Sequence, residues 1–112
     1  MIMRIHHVLI ALASANFLMP SSALAADAAA AEALARKSGC LKCHGIDKKK
    51  DGPALKEVAA KYKGKGDAES KLITHVTTSP KVKIEDKEEE HEQLKTQDKG
   101  EIKNVVQWIL SL

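Results

Sequence analysis

Aromatic side chains are nearly missing from this chain: of 112 residues one is phenylalanine, one tyrosine and one tryptophan. A core with so few rings needs cohesion from a disulfide, a metal or a cofactor. Cysteine is as scarce, and its two residues, Cys40 and Cys43, stand only three positions apart. A disulfide between them closes too short a loop to stabilise a domain, which excludes the disulfide-scaffold class. Glycine and proline are few, six and three residues, and no repeat, linker or low-complexity domain shows beyond a run of alanines after Asp27. Strand-like alternation is missing and Ala, Lys and Glu dominate, so helices are expected. The formal charge is only +3. Neither nucleic acid nor a membrane surface follows as a partner from so small an excess.

The first 25 residues lack charge except at Arg4. Met1 to His7 carries Arg4, His6 and His7, Val8 to Met19 is almost wholly apolar, and Pro20-Ser21-Ser22-Ala23-Leu24-Ala25 ends in an Ala-x-Ala pattern. The apolar run is short of the roughly 20 residues that span a bilayer as a permanent helix. The pattern is that of a secretory signal peptide, residues 1–25, cleaved after Ala25. One domain, residues 26–112, remains, with no membrane span expected in it. Cleavage removes Met1, Met3 and Met19, Phe17 and Arg4. The remaining chain has no methionine, and its formal charge falls to +2.

Along residues 26–112 the periodicity predicts about four helices. Asp27 can cap an alanine-rich helix that Gly39 closes. Pro53 is read as the first residue of a second helix, with Leu55, Val58, Ala59 and Tyr62 at helical spacing before Gly64. Asp67 precedes a third, Ala68 to Val76, which Thr77-Thr78-Ser79-Pro80 stops. Residues 81–97 hold Glu85-Asp86-Lys87-Glu88-Glu89-Glu90-His91-Glu92, a charge run expected to form a solvated loop. Asp98 and Glu101 form a capping box for the last helix, whose apolar face is Ile102, Val105, Val106, Ile109 and Leu110.

Cys40-Leu41-Lys42-Cys43-His44 is the constellation with a specific chemical meaning. It reads as a c-type haem attachment site. Two thiols at this spacing can each add to one haem vinyl group, and the next side chain reaches the iron as proximal ligand. A thioredoxin-like dithiol would want a βαβ context, which the periodicity does not offer. A zinc site would have to combine Cys40, Cys43 and two of His44, His75 and His91, and adjacent Cys43 and His44 are awkward tetrahedral ligands.

With that motif on the page, residues 26–112 resemble a small bacterial class I cytochrome c. The landmarks are the helix ending at Gly39, the Cys40 to His44 motif, Ile46-Asp47, the stretch Gly52-Pro53-Ala54-Leu55-Lys56-Glu57-Val58-Ala59-Ala60-Lys61-Tyr62, and a last helix carrying Trp108. The resemblance implies an all-α class I cytochrome c-like fold round one covalent haem c. In it the Pro53 carbonyl accepts a hydrogen bond from His44, and Trp108 packs beside the haem where the first and last helices cross. It implies a periplasmic one-electron carrier, not an enzyme, meeting donor and acceptor proteins briefly and expected to be a monomer. Two departures stand out. Ala35 falls where relatives often place an aromatic, and the methionine that relatives supply as sixth ligand, from the loop before the last helix, has no counterpart here.

In that loop His91 stands 17 residues before Trp108 and is the expected substitute. His75, a lysine or an open position are the other candidates, and an open position would suit a ligand-binding or sensor protein. His75 itself is expected at the edge of the third helix. Lys37, Lys42, Lys48, Lys49 and Lys50 cluster round the motif and either steer an acidic redox partner or form a solvated face.

Overall fold

The structure is a computed structural model that describes residues 25–112. The expected signal segment, but for Ala25, lies outside the described residues. Five helices and one hairpin follow in order: α1 (Ala28–Lys37), α2 (Cys40–Cys43), α3 (Leu55–Tyr62), α4 (Ala68–Thr77), β1 (Lys81–Ile84), β2 (Lys87–Glu90) and α5 (Lys99–Leu110). None of these helices is long and apolar enough to cross a membrane.

The local signals account for most boundaries. Asp27 Oδ1 accepts from Ala30 N at 3.1 Å, and α1 gives way to Gly39 at φ +81°. That left-handed turn redirects the chain into α2, a single turn holding both cysteines, and only glycine adopts it without strain. α3 starts at Leu55, two residues later than expected. Pro53 lies outside because its neighbour Ala54 is extended, with ψ 143°, and the Glu57 carboxylate reaches back to Ala54 N at 3.3 Å. At α5 half of the expected capping box forms: Asp98 Oδ1 accepts from Glu101 N at 2.9 Å. The Glu101 carboxylate turns instead to the Thr96 hydroxyl, which accepts from Asp98 N.

The core lies where α1 crosses α5, with α3 and α4 packed on α5. Ala31 and Ala35, fully buried, let the α1 backbone approach Val105, Val106, Trp108 and Ile109 closely. The side chain of Asn104 then clamps the start of α1, accepting from Asp27 N at 2.8 Å and donating to Asp27 O at 2.9 Å. Small residues and this clamp do the work an aromatic contact would otherwise do.

Residues 81–90 correct the expectation of a loop. They form an antiparallel hairpin in which Lys81 stands opposite Glu90 and Lys83 opposite Glu88. Opposite charges facing each other across the strands favour the pairing. Val82 and Ile84 alternate with them and are half-buried, while β2 is exposed along its length.

Candidate functional site

Gly39 and α2 deliver Cys40, Cys43 and His44 to the wall of a cleft of about 600 Å³. That volume lies within the usual range for a cofactor site. Apolar lining comes from Val58 and Tyr62 of α3, Leu72 of α4, and Val82 and Ile84 of β1. His75 and His91 also line it. Of the residues singled out from the sequence, Cys40, Cys43, His44, Pro53 and His91 therefore meet in one cleft. Trp108 does not line it and is buried in the core.

His44 is held on two sides. Its Nδ1 donates to the Pro53 carbonyl at 2.7 Å, which fixes the ring and leaves Nε2 as the nitrogen available to a metal. Against the ring lies Gly52. A Cβ there would come within 2.6 Å of His44 Cε1 and 2.9 Å of Nδ1. Composition and periodicity gave Gly52 no role, because the close approach is visible only in three dimensions.

The His44 and His91 ring centroids are 6.0 Å apart, tilted by 51°, and His75 lies 4.3 Å from His91. His91 Nδ1 is buried without a hydrogen-bond partner. Burial, then the neighbouring His75 and His44, push the His91 pKa below 6.5, with Glu92 acting the other way. Burial, then His44 and Lys61, do the same to His75. Both are thus neutral at pH 7, the form in which imidazole binds metal. Burial raises the Cys40 pKa above 9.0, aided by Cys43 and Glu92 and opposed by a backbone hydrogen bond. Cys40 stays a neutral thiol, unlike the thiolate of a redox dithiol. Among the described residues no group of three or more His, Cys, Asp or Glu is set to hold a bare metal ion, so the zinc reading finds no site.

These residues fit one group. Two thiols on one turn, an imidazole fixed by its far nitrogen and a largely apolar cleft beside them suit a covalently attached haem. Fold and site define a small helical haem-c protein. Residues 28–112 match the family model described as cytochrome c, and the chain belongs to that family as a small bacterial class I member. It carries one covalently bound haem c with iron.

Among solved structures, the chain is similar to the class 1 cytochrome MtoD from Sideroxydans lithotrophicus ES-1, at 56% identity and TM-score 0.74, covering 78% of this chain and 97% of that one. It is also similar to Nitrosomonas europaea cytochrome c552, at 30% identity and TM-score 0.56, covering 71% and 96%. Cytochrome c-551 of Pseudomonas aeruginosa is 39% identical over 70 residues, 62% of this chain and 64% of that protein. The alignment with cytochrome c-551 of Allochromatium vinosum, 49% identical, spans 46% of that relative. The chain thus aligns with about half to two thirds of the length of these two curated relatives.

Proposed function

We propose that the protein is a periplasmic one-electron carrier whose haem iron is held between His44 and His91. The observation that carries this reading is the 6.0 Å between the two ring centroids in a chain with no methionine after residue 25. His44 and His91, both lining the cleft with their rings this close, would hold the haem iron as neutral imidazoles. His75, whose ring lies 4.3 Å from that of His91, would then flank the ligand rather than bind the iron.

The bound haem supplies a ferrous/ferric couple. His44, oriented by Pro53 and Gly52, would hold the iron, and Val82, Ile84 and Leu72 would give the haem apolar walls. Two fixed imidazoles favour little rearrangement between the oxidation states. Methionine raises the potential of a haem, so imidazole in its place lowers it relative to methionine–histidine relatives. The lysines beside the attachment motif suit brief docking of an acidic redox partner.

Absorption and electron paramagnetic resonance spectra of the ferric protein test the ligation. The wild type should be low-spin and lack the weak far-red band of methionine coordination. His91→Ala should turn the haem high-spin and raise its potential, whereas His75→Ala should leave it low-spin. Protons compete with iron for imidazole, and burial already holds the His91 pKa below 6.5. The low-spin spectrum should therefore persist as pH falls through 6.5 and give way only in stronger acid. A His91→Ala protein with the wild-type spectrum would refute His91 as the ligand.

A further inference from the structure

Among the described residues one polar side chain is buried, Ser38, at 2% exposure. It stands at the end of α1, two residues before Cys40. The helix end does not require its hydroxyl, because backbone bonds from Ser38 N to Leu34 O and from Gly39 N to Arg36 O close that end already. The hydroxyl accepts instead from Lys95 N at 2.9 Å, across 57 positions of sequence.

Lys95 follows His91 closely, and the hairpin before them offers little to hold either. β2 is exposed throughout, and an isolated two-stranded hairpin is marginal in water. The segment 91–95 is fixed by other means. His91 N donates to Pro80 O at 2.9 Å, Gln93 Nε2 to Ser79 Oγ at 2.9 Å, and Leu94 N to Val76 O at 3.0 Å, with the Leu94 side chain buried. These three tie the segment to α4 and the foot of the hairpin. The bond to Ser38 ties it to the turn that bears Cys40, Cys43 and His44.

We propose that Ser38 is a positioning residue for the haem site: its hydroxyl holds the segment carrying His91 against the attachment turn and sets how readily His91 leaves the iron. The proposal rests on His91 as sixth ligand. Losing the bond takes the partner from the Lys95 N–H and removes a restraint between the His91 segment and the attachment turn.

The test is cyanide binding to the ferric holoprotein, measured at cyanide concentrations high enough that release of His91 limits the rate. Ser38→Ala should raise that limiting rate between about twofold and about tenfold, the range one net hydrogen bond supports. Ser38→Thr, which keeps a hydroxyl, should stay nearer the wild type. Val106→Ala truncates a fully buried core residue outside the cleft and serves as the control for stability loss. It should unfold more easily without speeding cyanide. Lys95→Pro deletes the donor N–H and leaves Ser38 in place. It should match Ser38→Ala, and the double variant should be no faster than either. An unchanged rate in Ser38→Ala, or an equal rise in Val106→Ala, overturns the proposal. Should Ser38→Ala fail to acquire haem, an unchanged rate in Lys95→Pro overturns it. A His91→Ala protein that keeps the wild-type low-spin spectrum refutes His91 ligation itself, and the role of Ser38 with it.

Discussion

Gly52 shows how much of a haem site depends on one hydrogen atom in place of a methyl group. The need is for space rather than for an unusual backbone, since its φ is not in the left-handed region. Gly52 N donates to Cys43 O at 2.8 Å and Gly52 O accepts from Lys50 N at 3.0 Å, so the backbone cannot retreat from an added Cβ. The His44 ring must move instead, away from the Pro53 carbonyl. Gly52→Ala should destabilise the protein by about 1–3 kcal/mol, as overpacking of a tight site does. Weakening the Nδ1 bond also makes His44 a poorer electron donor and disfavours ferric iron. Potentiometry should therefore find a raised potential, and denaturant unfolding a lower midpoint. A variant with lowered stability and an unchanged potential would mean that the backbone yields and His44 stays in place.

The hairpin marks the boundary of what was legible in the sequence. Helices announced themselves through Asp27, Gly39, Asp67 and Asp98 and through apolar residues at helical spacing, and the attachment motif through spacing alone. The strands did not, because dense carboxylates read as solvated and no Asn-Gly or Gly-containing pair marks the turn. Yet solvation and pairing are compatible here. β2 is exposed, Lys81 and Lys83 face Glu90 and Glu88, and the alternating Val82 and Ile84 turn to the cleft. What the sequence concealed were relations between distant segments: Gly52 against His44, Ser38 with Lys95, and the preference of Glu101 for Thr96. The missing turn signal has a cost, since Glu85 adopts φ +55° with a full side chain. Asparagine tolerates that conformation better, so Glu85→Asn should stabilise the hairpin by up to about 1 kcal/mol. Hydrogen exchange of the amides between Lys81 and Glu90 should slow by up to about fivefold. Exchange no slower than in the wild type would show that the turn holds no strain.

The formal charge of +2 after residue 25 conceals a separation of charge across the molecule. Lysines at 37, 42, 48, 49 and 50 flank the attachment motif in sequence, with Asp47 and Asp51 among them, whereas exposed Glu85, Asp86, Glu88, Glu89, Glu90 and Glu92 outnumber Lys81, Lys83 and Lys87 on the hairpin side of the same cleft. Among the described residues, carboxylate partners within 4.0 Å are found for Arg36, Lys56, Lys71 and Lys103 and for none of those five lysines. They are therefore free to act on an approaching protein. Lys50 is the exception in another respect, because its ammonium donates to the Leu41 carbonyl at 2.9 Å and braces the attachment turn. The steering is consequently tested with Lys42, Lys48 and Lys49 neutralised as Gln and Lys50 left in place. Exposed charges act over a Debye length of about 8 Å at physiological ionic strength, so a steered encounter slows as salt rises. Stopped-flow electron transfer to an acidic redox protein should lose rate with added salt in the wild type, and the triple variant should begin slower and respond less. Neutralising Glu85, Asp86 and Glu89 as Gln, Asn and Gln, none of them opposite a lysine of β1, should act in the opposite direction, since those carboxylates repel the same partner from the hairpin side of the cleft. A triple lysine variant with the wild-type salt profile would assign these side chains to solubility and leave docking to the apolar rim formed by Val82 and Ile84.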